Sequence, residues 1–239
     1  RPDRTMSATR FVLAVDPSPS DFMHDKFMVV DGFLTWTGSY NPTASGSLLD
    51  DNNVVVVASR QVAQLYEEEF REMWSGKYGK SSPGPTRYPA REVGGAAVEC
   101  LFAPDDDCAG RLAGLVRDAR QSVRFAVFAF TWSPLAEELA RKHAEGVDVK
   151  GVFEKGQDSP WCCFRLLEDC GVPVRWDQNL RYLHHKFFVI DGTVVATGSF
   201  NPSRHAQEGN DENLLIIRHP GVAQRFLDEF ERVWERKWE

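Results

Sequence analysis

No stretch of this chain approaches the roughly 20 consecutive apolar residues that a helix needs to cross a bilayer. The longest apolar runs, Val54-Val55-Val56-Val57 and Leu214-Leu215-Ile216-Ile217, have the length of strands. Clusters of Lys and Arg are also missing, and the formal net charge is −7. That balance weighs against non-specific nucleic-acid binding, which relies on basic surfaces, but leaves room for a small basic pocket. Cysteine is scarce: Cys100, Cys108, Cys162, Cys163 and Cys170 are odd in number, lie in one part of the chain and lack the paired CxxC spacing of zinc sites. Buried free thiols are the expectation, with one disulfide through Cys170 as the alternative. An opening Met is absent too, since the chain starts at Arg1. An upstream leader, and with it export of a soluble, bacterial-type protein, stays open, and no compartment follows. What is present is a 42% hydrophobic chain of 239 residues, enough to bury one large core or two small ones.

Laid over itself, the chain shows an internal repeat. At an offset of 160, residues 24–77 match residues 184–237 without a gap, with 20 of 54 positions identical. The blocks read HDKFMVVDGFLTWTGSYNP and HHKFFVIDGTVVATGSFNP, and later identities include Asn53 with Asn213, Glu69-Phe70 with Glu229-Phe230 and Trp74 with Trp234. In each unit an apolar strand (186–190) meets an Asp-Gly turn of hairpin type, a second strand (193–197) and, after a loop, a third (214–217). A helix follows, with apolar residues at helical spacing (Val222, Phe226, Phe230, Val233).

The second copy also has a front half. Strands over 98–102, 123–130 and 147–153 alternate with helices over 111–120, 134–144 and 164–169, which predicts a mixed α/β sheet flanked by helices. The first copy has 23 residues before His24 where the second has 86 from Val98 to His184. The expected organisation is an incomplete first half over 1–80, a Pro- and Gly-rich linker over 81–95 and a complete second half over 96–239, in a fragment of a longer protein.

The chemistry lies in the repeated block. His24, Lys26, Asp31, Gly38, Ser39 and Asn41 recur as His184, Lys186, Asp191, Gly198, Ser199 and Asn201. His and Lys two apart on a strand share a face, and Asn on the next strand can lie beside them. Two such sets around a pseudo-twofold suit a tetrahedral phosphodiester. Lysines and asparagines stabilise developing negative charge, one imidazole attacks phosphorus, and the other protonates the leaving oxygen. Ser39 and Ser199 are expected to join Lys26, Lys186, Asn41 and Asn201 in holding the phosphate. A lone His-x-Lys is a surface accident and a lone Gly-Ser-x-Asn a turn, but six elements repeated at equal spacing are neither. Asp31 and Asp191 precede Gly at a turn, so support of the lysine or of the local fold is the expected role, ahead of direct chemistry.

These blocks resemble the HKD motif, His-x-Lys-x4-Asp-x6-Gly-Ser-x-Asn, of the phospholipase D superfamily. The resemblance implies that superfamily's fold, with two half-domains around a pseudo-twofold, and catalysis through a phosphohistidine with no metal or other cofactor. It implies His24 as nucleophile and His184 as general acid. The family often carries a carboxylate about 28 residues past the histidine, which orients the imidazole. This is Glu212 in the second copy, whereas the first has Asn52 beside Asp51. The two histidines should therefore titrate differently.

A phospholipid is the expected substrate, hydrolysed or transferred. A metal-independent endonuclease is the alternative, with Arg10, Arg175, Arg181 and Arg204 available for a groove. A non-catalytic phosphate-binding protein is a third reading, opposed by two intact motifs. The site is expected to form within one chain, as a monomer. Peripheral membrane contact is possible through Phe22, Trp36, Trp132 or Trp161, each of which is otherwise a core or pocket-wall residue.

Overall fold

The computed structural model describes residues 12–18, 20–81 and 89–237. In the first repeat, β1 (Phe27–Val30) turns through Asp31-Gly32 into β2 (Leu34–Gly38). Short helix α1 (Ala44–Leu48) leads to β3 (Val54–Ala58) and α2 (Arg60–Trp74). Asp31 and Gly32 both have positive φ (54° and 57°), the backbone that a two-residue hairpin turn demands and that Asp and Gly tolerate. The three strands form an antiparallel sheet in chain order.

The second part runs β4 (Arg91–Val93), β5 (Ala96–Ala103), α3 (Cys108–Asp118), β6 (Ser122–Val127), α4 (Ser133–Ala144), β7 (Asp148–Phe153), α5 (Phe164–Asp169) and β8 (Val174–Trp176). Then come β9 (Lys186–Ile190), β10 (Val194–Gly198), α6 (Arg204–Glu208), β11 (Glu212–Arg218) and α7 (Pro220–Glu235). These strands form one mixed sheet in the order β4-β5-β11-β10-β9-β6-β7-β8, with β6, β7 and β8 parallel. Residues 82–88 of the expected linker lie outside the described residues. Its end is not a linker: Arg91–Val93 pairs with β5 across Gly94-Gly95, so the glycines make a hairpin turn. The strand expected to reach 130 stops at Val127, and the Phe128 and Ala129 amides bond the backbone of His185 and the side chain of Asn201 instead.

Helices α3, α4 and α5 cover one face of the large sheet, where Phe125 stacks on Phe188 (5.3 Å between centroids) and meets Phe130 and Phe153 edge-on. Helix α7 covers the other face, with Phe226 and Phe230 packed around Phe187 and Val189. A third cluster joins the repeats: Leu65 and Tyr66 of α2 pack on Val98, Cys100 and Phe102 of β5 and on Leu215 and Ile217 of β11. The first repeat's sheet is barer. Met28 and Val56 are 57% and 59% exposed, whereas their counterparts Phe188 and Ile216 are 2% and 0% exposed beneath α3–α5. All five cysteines are free thiols, and only Cys170 is exposed.

The packing around Phe125 sets a test. A Cβ added at Gly151 on β7 would lie 2.0 Å from the Phe125 ring, whereas one added at Gly114 in α3 meets open space. Gly151→Ala is expected to lower stability by about 1–3 kcal/mol through overpacking. Gly114→Ala should raise it by up to about 1 kcal/mol through helix propensity. Urea unfolding midpoints compared at constant slope would contradict this packing if the two substitutions moved in the same direction.

Candidate active site

Each HKD histidine stands just before the first strand of its repeat, and its backbone is tied to the other repeat. The His24 amide bonds Asp211 O (3.0 Å) and the His184 amide bonds Asp51 O (2.9 Å). The side chains cross as well. His24 Nδ1 lies 2.7 Å from Glu212 Oε2, and His184 Nδ1 lies 2.9 Å from both Asn52 Oδ1 and Ser39 O. The residue about 28 positions past each histidine was expected to orient that same histidine. Instead Glu212 serves His24 and Asn52 serves His184, because β3 and β11 begin against the opposite repeat. All these partners are acceptors, so each Nδ1 carries the proton and each Nε2 lone pair is left for chemistry.

The residue after each histidine points to the opposite side of the strand and carries a second crossed set. His185 Nδ1 meets Asn53 Oδ1 (3.1 Å), and Asp25 Oδ1 accepts from Asn213 Nδ2 (2.5 Å). Asn53 Nδ2 donates to Thr197 Oγ1, and Asn213 Oδ1 lies 2.8 Å from Thr37 Oγ1. The threonines in turn bond the carbonyls of Lys186 and Lys26. The two asparagine amides thus use opposite ends, because an Asp stands in one repeat where a His stands in the other. Reading the sequence for reactive groups missed this layer. Its signal was in the repeat, where Thr37/Thr197, Asp51/Asp211 and Asn53/Asn213 are identities.

The lysines complete the site. Lys186 Nζ donates to His184 O (2.9 Å) and sits over the Phe128 ring, and Lys26 Nζ likewise bonds His24 O. Burial lowers the Lys26 pKa to about 8, and burial together with Lys26 holds Lys186 well below the lysine range. Burial also lowers both histidines. At His24 the bond to Glu212 opposes it, whereas at His184 the charges of Lys186 and Lys26 add to it and take the group to about 2. Charges from both motifs act on each ring, so the four side chains share one electrostatic site. It is a positive pocket around two neutral imidazoles, suited to an anion.

Other expected members lie elsewhere. Asp191 Oδ1 and Oδ2 accept the amides of Arg120, Gln121 and Ser122, which ties the far end of β9 to the connection before β6, and Asp31 occupies the exposed equivalent turn; both take the positive φ of a hairpin turn. Ser39 and Ser199 are fully buried, and their hydroxyls accept the Asn53 and Asn213 amides, so they brace the loops and do not face a phosphate. Gly38 and Gly198 allow this bracing, since a Cβ at either would lie 2.2 Å from the carbonyl oxygen of Asn53 or Asn213. Asn201 is half-buried, its Oδ1 accepting the Ala129 amide, and Asn41 has equivalent burial. Phe22 reaches His24 edge-on (5.7 Å), Trp36 meets Tyr40, Trp132 packs against the α3–α5 core and Trp161 is exposed. Arg175 lies over Trp234, Arg181 over Tyr182, and Arg204 pairs with Glu208; Arg10 lies outside the described residues.

A family model described as cardiolipin synthase, PLD-like domain, matches residues 4–74 and 112–234. The chain belongs to the phospholipase D superfamily. It is a phosphodiesterase of that superfamily. A mitochondrial cardiolipin hydrolase of Xenopus tropicalis is 34% identical over 152 residues, covering 63% of this chain and 70% of that protein. A phospholipase D of Rickettsia bellii is 25% identical over 146 residues, or 61% of this chain and 73% of that protein. Among solved structures, the phospholipase D family member Nuc from Salmonella typhimurium superposes with a TM-score of 0.55 at 26% identity, over 60% of this chain and 99% of that one. A phosphatidylserine synthase of Haemophilus influenzae, at 12% identity, shares the fold alone: TM-score 0.66 over 90% of this chain and 61% of that one. Among the described residues no helix is long and apolar enough to cross a membrane.

Within this phospholipase D fold the crossed Glu212–His24 pair makes a titration test. Glu212 raises the His24 pKa against burial, so Glu212→Gln should move it further below the ordinary 6.5. His184, paired with Asn52, should barely respond. Imidazole shifts followed by NMR across pH would contradict the crossed pairing if Glu212→Gln moved His184 and left His24 in place.

Proposed function

We propose that the chain hydrolyses a phospholipid phosphodiester through a phosphohistidine on His24, with residues 1–80 and 96–239 acting as two halves of one catalytic unit within a monomer. The observation that carries the assignment of roles is the 2.7 Å contact between His24 Nδ1 and the buried carboxylate of Glu212. His24 Nε2 attacks phosphorus, the P–N bond forms, and the bond to the leaving alkoxide breaks. The phosphorylated ring is cationic with its Nδ1–H retained, and a carboxylate stabilises that cation better than the Asn52 amide opposite His184 can. On substrate binding His184 takes up a proton from solvent at Nε2, and it gives that proton to the leaving oxygen. Lys186 and Lys26 are among the influences that keep His184 neutral, and a bound phosphodiester anion offsets both. The anion thus helps to load the acid that its own cleavage needs. Afterwards, neutral His184 takes a proton from water as the oxygen attacks phosphorus and the P–N bond breaks. Lys26, Lys186, Asn41 and Asn201 hold the non-bridging oxygens.

The names of the relatives, a cardiolipin hydrolase and a phospholipase D, support a phospholipid substrate, and so does the net charge of −7. The test sets cardiolipin vesicles against labelled single-stranded DNA, both in EDTA. Turnover of the lipid is expected, and cleavage of DNA alone would overturn the substrate. His24→Ala and His184→Ala should each lower kcat by at least about 10³-fold while the chain still unfolds in one cooperative transition. Quenching in alkaline detergent with a labelled phosphodiester should leave label on His24, whereas label on His184 would reverse the roles.

A further inference from the structure

We infer that the rim of the site beside His184 is a one-sided docking surface for a bilayer carrying anionic phospholipid. The inference deepens the phospholipid reading and rests on it for the substrate.

Two loops build this rim: the segment from Asn41 to Asp51, and residues 178–183 just before His184. They are bound into one unit. Asn179 Nδ2 donates to Leu49 O (3.2 Å), to Asp51 Oδ2 (2.8 Å) and to Tyr182 O (3.2 Å), and Arg181 Nε reaches Ser45 Oγ (3.3 Å). Asp51 is itself held by Arg232 and Arg236 of the C-terminal segment. Yet the tips of this braced unit carry large apolar side chains into solvent: Leu180 is 89% exposed, Leu48 79% and Leu49 58%. Grouped leucines held in water are the signature of a contact surface, and short apolar tips beside a basic residue are what insertion at a headgroup interface requires.

The internal repeat shows that the fold does not impose these leucines. At the offset of 160, Leu48 and Leu49 correspond to Glu208 and Gly209, while Leu180 and Arg181 correspond to Ser20 and Asp21. The same positions on the opposite rim are therefore polar and acidic. Charge divides less simply, since this rim also carries Asp50, whose carboxylate accepts from Ser45 Oγ (2.9 Å), but its one arginine is left without a carboxylate. Arg181 bonds a hydroxyl and lies over the Tyr182 ring (5.0 Å), and among the described residues no carboxylate pairs with it. An anionic headgroup supplies that counter-charge, whereas on the far rim Arg204 is already paired with Glu208 and Asp21 lies against His205. The chain as a whole, at −7, has no general attraction to such a surface, so its approach is oriented by this rim. The rim is continuous with the chemistry: Tyr182 meets Phe128 edge-on (6.0 Å), and Phe128 meets the His184 ring (4.8 Å).

The test uses the full chain, flotation with phosphatidylcholine vesicles with and without cardiolipin, and turnover of a water-soluble short-chain phospholipid kept monomeric. Leu48→Ser/Leu180→Ser should weaken binding to cardiolipin vesicles by about tenfold or more and lower turnover on them in parallel. It should leave turnover of the monomeric lipid and the unfolding midpoint unchanged. Leu180→Glu alone should weaken binding further on anionic than on neutral vesicles. His24→Ala should bind vesicles as wild type does. Equal vesicle binding by wild type and the double variant overturns the proposal, including the case in which the leucines instead contact another protein. A wild type that binds vesicles through these leucines but cleaves no phospholipid would sink the substrate reading and leave the docking surface standing.

Discussion

The structure depends on an exchange of support between the repeats. Neither histidine finds its Nδ1 acceptor or its amide partner in its own repeat: His24 takes its carboxylate and its backbone acceptor from 211–212, and His184 takes its carbonyls and backbone acceptor from residues 39, 51 and 52. A half-domain alone would leave a buried imidazole without its Nδ1 acceptor, and unsatisfied buried polar groups of this kind cost about 1–3 kcal/mol each. The apolar cluster of α2, β5 and β11 brings the repeats together, but the crossed hydrogen bonds fix their register. Assembly of the fold and assembly of the site are therefore the same event.

That exchange also explains why the halves could diverge. A site related by a pseudo-twofold within one chain is under no obligation to stay symmetric, and its layers have drifted to different extents. The histidines, lysines and asparagines match. One step out, Glu212 faces Asn52. One step further, His185 bonds Glu229, which is held down to about 2 by Arg232 and His185. At the equivalent place the first repeat has Asp25, Glu69 and Glu72, and burial raises Asp25 to about 7 and Glu69 to about 10. A salt-bridged face in one half is a pair of buried acids, both pushed up by burial, in the other. The network tolerates both because the intervening asparagine can present either end of its amide, Oδ1 to His185 or Nδ2 to Asp25.

Much of this was legible in the sequence, for physical reasons that also mark where legibility stops. The duplicated block exposed the strand–turn–strand unit and the six-element motif, since spacing along a strand dictates which side chains share a face. The hydrophobic periodicity gave α7 and the buried strands β6 and β7. What stayed hidden depended on contacts between distant residues. The spacing from His184 to Glu212 pointed to a pair within one repeat, and nothing local says that the loop reaches across instead. Ser39 and Ser199 looked like phosphate ligands because they flank the motif, yet the glycines before them let the backbone of Asn53 and Asn213 approach and take the hydroxyls. Gly94-Gly95 read as linker because glycine pairs serve both flexible chain and tight turns, and only the pairing of Arg91–Val93 with β5 decides between them.

The electrostatics of the pocket bear on the proposed reaction. Burying two lysines beside two histidines with one carboxylate between them is costly in the absence of ligand, and the cost appears as lysine and histidine pKa values pushed below their ordinary ranges. A folded chain can hold such a pocket only because the surrounding network satisfies the neutral hydrogen-bonding groups so fully. The cost is directional: an anion favours the charged lysines, and in the proposed reaction those charges are the ones that stabilise a pentavalent phosphorus centre. A neutral or cationic ligand gains none of this. On the proposed reading, selectivity for a phosphodiester and readiness to cleave it arise from one arrangement, the crowding of basic side chains at the junction of two crossed halves.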